Sequence, residues 1–153
     1  KVYVLKKHLF ILKSGLWLGE GKINLSMMDE QLAFFTRWKI PKSNNKGRID
    51  SVQEIQISGL QDVMQNQFAV YDITQKEFNI ELENQSLGKV VGKGLISEKV
   101  IGWEFRLGHL GFEGFEFYEA TSDPNTYLMH AEYATTDDFR TVIHGKIWLT
   151  EEN

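Results

Sequence analysis

After Gly15 the hydropathy of this chain repeats every second residue and never settles into a helical period. Phe78, Ile80 and Leu82 alternate with Asn79, Glu81 and Glu83, as expected of a strand with one face in a core and the other in water. Leu32, Phe34, Trp38 and Ile40 alternate in the same way with Ala33, Phe35, Arg37 and Lys39. Similar runs cover 16–28, 50–58, 66–74, 87–96, 100–107, 112–121, 126–134 and 139–150, with turn residues between them. About ten strands at this spacing predict an all-β fold, an antiparallel sandwich or barrel. Only the lead-in differs: Leu5, Leu9 and Leu12, with Val2 and Phe10, have the spacing of a short N-terminal helix.

Composition narrows the partners. The 153 residues carry 17 Lys+Arg against 21 Asp+Glu, a formal charge of −4. Nucleic acid and anionic membrane surfaces both call for a basic patch, so neither is the expected partner. No apolar run approaches the roughly 18–20 residues of a membrane span, and the expected compartment is the cytoplasm. The chain has no Cys, which removes disulfides, thiolate metal sites and a thiol nucleophile. With no linker-like stretch, residues 1–153 are read as one domain.

Glycine placement favours closure into a barrel. If 97–100 forms a four-residue turn, Ile96 faces Ile101, Gly94 faces Trp103, Gly92 faces Phe105 and Lys93 faces Glu104. A ring laid over a strand glycine covers the backbone left bare there, and strand glycines mark the bends that close a barrel. Gly19 and Gly21 in the first strand make a matching bend point.

Three groups of residues could carry chemistry. A four-residue loop before Phe139 would set His130 against Ile143 and His144 against Met129, keeping the histidines apart, with His130 and Glu132 on the solvent face. A five-residue loop would set His130 against His144 with Glu132 beside them, a donor set competent for zinc or non-haem iron. The four-residue loop is the expected one. Glu104 and Arg106 could hold a polar head group, but the pairing above sends both outward. The stretch 112–119 has two registers. A plain four-residue turn at 108–111 turns Glu116 and Tyr118 inward, Glu116 becoming a desolvated acid–base group. A one-residue bulge turns Phe115 and Phe117 inward instead, and burying two Phe at roughly 3–6 kcal/mol favours the bulge.

The helical lead-in followed by Gly15-Leu16-Trp17 resembles the opening of the calycin superfamily, which holds the lipocalins, the fatty-acid-binding proteins and bacterial lipocalin-like families. In that group the Trp sits at the closed end of an antiparallel barrel that holds a small, mostly apolar ligand. Thr136-Asp137-Asp138-Phe139 is similar to the Thr-Asp-Tyr box of lipocalins but departs at its third position, and only one strand follows it. With the lipocalin disulfides also absent, the resemblance is to a lipocalin-like bacterial family. Gly15-Leu16-Trp17-Leu18-Gly19 also resembles the opening of the nitrobindin-like barrels, which carry haem on a histidine near the C-terminus; no match around His144 carries that role over.

The expected protein is therefore a single antiparallel up-and-down β-barrel of about ten strands, lipocalin-like, with the lead-in as a plug. It would bind a small apolar or amphipathic molecule without catalysis, through Trp17, Phe34, Trp38, Phe78, Ile80, Trp103, Phe105, Phe115, Glu116 and Tyr118. No metal or cofactor is expected. A second reading is a haem- or metal-dependent enzyme using His130, His144 or Glu116, which fails if both histidines face solvent. A third is an interaction module, for instance a homodimer formed through an exposed edge.

Overall fold

Each expected strand run forms a strand. The computed structural model describes residues 10–27, 29–107, 112–134 and 140–151. Ten strands follow one another: β1 (Gly15–Leu25), β2 (Gln31–Ile40), β3 (Ile49–Ile57), β4 (Met64–Tyr71), β5 (Glu77–Asn84), β6 (Gly88–Ile96), β7 (Val100–Leu107), β8 (Phe112–Ala120), β9 (Thr126–Ala134) and β10 (Arg140–Glu151). Every strand pairs antiparallel with its sequence neighbours, and β1 pairs with β10 from Leu16↔Glu151 to Leu25↔Thr141, so the sheet closes on itself. Closure leaves no sheet edge to cover.

The β6–β7 hairpin has the expected register, with Ile96↔Ile101, Gly94↔Trp103, Lys93↔Glu104 and Gly92↔Phe105. Of the two expected ring-over-glycine contacts, one forms and one does not. Phe105 covers Gly92, but the ring over Gly94 is Phe78, which reaches across from β5. Lys93 is also drawn toward β5, donating to Asn79 Oδ1 at 2.6 Å, while Glu104 pairs with Arg106 at 3.4 Å on the outer surface.

The helix expected of the lead-in falls largely on residues 1–9, outside the described residues; Phe10–Leu12 form a turn. That turn enters the barrel end that Trp17 occupies. Phe10 and Ile11 are fully buried. The Phe10 ring meets those of Trp17 at 5.1 Å, Trp38 at 5.2 Å and Tyr118 at 4.3 Å. Ile11 has φ +65°, a left-handed conformation unfavourable for a β-branched residue, so the turn is held there by packing. Trp103 stacks on Tyr118 at 5.3 Å, and Trp38 and Phe68 pack at 4.8 Å, continuing the aromatic core upward from the plug. Among the described residues no helix is long and apolar enough to cross a membrane.

Candidate ligand-binding site

Above the aromatic core the barrel is open. A cavity of about 330 Å³ occupies the end at which the β1–β2, β3–β4 and β5–β6 turns lie. Phe34, Phe68, Leu82 and Met129 form part of its wall, and Leu60 and Met64 stand half-exposed at its mouth. Among the described residues, none that lines it is Lys, Arg or His. Its polar groups fall into two sets on opposite walls.

The first set is centred on Glu116. Its place is decided by the β7–β8 register, which runs Leu107↔Phe112, Phe105↔Gly114, Trp103↔Glu116 and Ile101↔Tyr118. This is the unbulged register, so the expectation of Phe115 and Phe117 inside is overturned. Glu116 and Tyr118 point inward and are buried, while Phe115 and Phe117 lie half-buried on the outer wall. Counting apolar area missed two compensations. Phe115 and Phe117 stack on each other at 6.0 Å and rest against His130, which keeps part of their surface from water. Tyr118 in turn places a large ring against Trp103 and Phe10, so the inward register buries an aromatic too.

The carboxyl group of Glu116 is satisfied by two phenols. Tyr118 Oη donates to Oε1 at 2.7 Å, and Tyr133 Oη donates to Oε2. The Trp103 indole N–H, across the strand pair, is buried without a well-formed hydrogen bond but lies near enough to favour the carboxylate. Burial dominates and raises the Glu116 pKa, opposed by the hydrogen bonds from Tyr118 and Tyr133 and by the nearby Trp103 N–H. Both phenols are pushed well above their ordinary pKa, by burial first and by the Glu116 charge second, so they remain donors.

The second set is a ladder of side chains across β2–β5. Asn84 Oδ1 accepts the backbone N–H groups of Ser86 and Leu87 at 3.0 and 2.8 Å. Only the oxygen can do so, which turns its nitrogen toward Asn66 and sets the direction of the whole chain. Asn84 Nδ2 donates to Asn66 Oδ1 at 2.9 Å, Asn66 Nδ2 to Gln53 Oε1 at 3.1 Å, and Gln53 Nε2 to Thr36 Oγ1 at 3.0 Å. Thr36 Oγ1 passes the last bond to the Glu54 carbonyl at 3.0 Å. Thr36, Gln53 and Asn66 are buried, and Gln53, Asn66 and Asn84 line the cavity. Sequence reading missed this set. The signal was present in the phase of the strands, since Asn66 shares the face of Phe68 and Val70, and Gln53 that of Ser51 and Ile55.

The residues expected to line the lumen divide by height. Phe34 and Glu116 line the cavity; Trp17, Trp38, Phe78, Ile80, Trp103, Phe105 and Tyr118 are buried in the packed core; Phe115 lies outside the barrel. The histidine pair is also corrected. Ala134 pairs with Arg140 across a five-residue loop, so His130 faces His144 directly. Their Nδ1 atoms are 3.0 Å apart, and His130 Nε2 is 2.9 Å from Glu132, which Arg140 approaches at 3.4 Å. The bond to His130, chiefly, holds the Glu132 carboxyl below its ordinary pKa. This cluster sits on the outer wall, with His144 exposed and Met129 and Ala131 turned inward on either side of His130. Both histidines thus face away from the lumen, and among the described residues no group of three or more such side chains is arranged to hold a metal ion.

No protein-family model and no curated protein matches the chain. Among solved structures, it is similar to the S-type phycobiliprotein lyase from Guillardia theta, with a TM-score of 0.66 at 9% sequence identity, over 92% of this chain and 89% of that one. At that identity the likeness is one of fold, in keeping with the closed antiparallel barrel of this chain.

Proposed function

We propose that this protein binds a small amphipathic molecule in its lumen and acts as a non-catalytic carrier or sensor. One observation carries the reading: the interior above the aromatic core is an open, mainly apolar cavity of about 330 Å³ with a buried carboxyl group in its wall. An apolar body would gain roughly 25 cal/mol for each Å² it removes from water there. Glu116 would orient it by accepting a hydrogen bond from a ligand N–H or O–H, or by facing a protonated nitrogen. The fold likeness to a phycobiliprotein lyase makes a bilin one sensible probe among others. The catalytic alternative on this barrel would use Glu116 as acid or base, for which its raised pKa is suited.

Native mass spectrometry of the purified protein, set beside its denatured mass, tests the proposal together with Nile red titration. The expected results are an added mass of small-molecule size, or saturable dye fluorescence at one dye per chain that Phe34→Trp weakens. A bare protein with no saturable dye binding would overturn it.

A further inference from the structure

Four polar side chains in a row are an expensive way to build a barrel wall, since apolar residues of similar size would need no partners. The ladder from Thr36 to Asn84 is moreover only half used. Each amide nitrogen of Gln53, Asn66 and Asn84 spends one hydrogen on the next rung, and its second hydrogen has no partner among the described residues. Because Asn84 forces all three amides to point the same way, the spare groups are mainly donors. They line the cavity, and they do so on β3, β4 and β5. In the closed order of strands, β3 lies five places from β8 in either direction, so Gln53 is diametrically opposite Glu116. The lumen therefore has an acceptor on one wall and a row of donors on the other.

We propose that the amide ladder of Gln53, Asn66 and Asn84 is a second binding pole, selecting ligands with a neutral carbonyl group such as an amide, lactam or ketone. This rests on the lumen-binding reading above and specifies its ligand class. The donors call for an acceptor oxygen. That oxygen is neutral because, among the described residues, no Lys, Arg or His lines the cavity to offset a desolvated anion, and Glu116 faces it across the lumen. Fatty acids are disfavoured as ligands on the same ground. The preferred ligand has its carbonyl at the ladder, an apolar body between the walls, and an N–H group at Glu116.

The test uses the whole protein with anthracene, a fluorescent hydrocarbon, as the reporter of lumen occupancy. Biphenyl, para-phenylbenzamide and para-phenylbenzoate are then compared as competitors. The amide is expected to displace anthracene about tenfold better than biphenyl, as one or two neutral hydrogen bonds allow, and better than the benzoate. Asn66→Leu should abolish the preference for the amide over biphenyl, both measured as competitors of anthracene on that variant. Gln53→Met gives a second reading should Asn66→Leu fail to fold, and the comparison on the unsubstituted protein needs neither variant. If anthracene binds but the amide competes no better than biphenyl, or if the benzoate is preferred, the ladder is only structural and the lumen reading survives. If anthracene does not bind, both are overturned.

Discussion

Glu116 pits two tendencies against each other: two phenols and an indole N–H favour its charge, and burial opposes it more strongly. With its folded-state pKa raised above the ordinary 4.5, the native protein holds a proton that the unfolded chain has already released. Stability from this group is therefore fully present below pH 4.5 and declines as pH rises through the folded-state pKa. One proton contributes at most about 1.4 kcal/mol per pH unit within that window. Glu116→Gln removes the titration, so urea melts at a series of pH values should show a flatter profile than the parent and a relative gain on the alkaline side. Parallel profiles for the two proteins would show that Glu116 is not the titrating group. None of this was legible from Glu116 alone, because residues 112–119 alternate plausibly in either register and only the β7–β8 pairing chooses between them.

At the scale of the element, β6 shows what a strand glycine permits. A Cβ on Gly94 would overlap the Phe78 ring, whose position over the bare backbone is part of how β5 and β6 pack. Gly94→Ala should cost about 1–3 kcal/mol as overpacking, read as a lower urea midpoint with an unchanged slope. Adding Phe78→Leu should recover part of that loss, and a neutral Gly94→Ala would count against the contact. The β6–β7 hairpin was readable in advance because one short turn with large residues in phase on both sides leaves one satisfactory register. The β9–β10 loop was not. The local pattern favours a four-residue loop, but the pairing across five residues puts His130 against His144, where the Glu132 and Arg140 side chains complete a surface cluster.

Across the whole molecule, the proposed function depends on where packed core gives way to cavity. The lower half is closed by Phe10 among Trp17, Trp38 and Tyr118; the upper half keeps about 330 Å³ free. Phe10→Ala removes a fully buried ring and should cost about 3–5 kcal/mol. It should also shift tryptophan emission, because Trp17 and Trp38 lose their covering. A loss below about 1 kcal/mol would show that the lead-in is not a structural plug. The lead-in illustrates why burial is hard to read from sequence. Its apolar spacing suggested a helix, but what Phe10 and Ile11 do is decided by the open barrel end that receives them.

By itself the sequence determined the number of strands, their boundaries within a few residues, and the antiparallel class, because each strand residue faces either core or water and the alternation records that choice locally. Closure was legible from strand number and glycine placement. The tertiary structure alone decided which inward residues pack and which line a cavity, since that depends on height along the barrel and on the plug below. It alone brought together Glu116 with Tyr133, and Gln53 with Asn66 and Asn84. Each of these contacts joins different strands, and a shift of one residue in register would dissolve it.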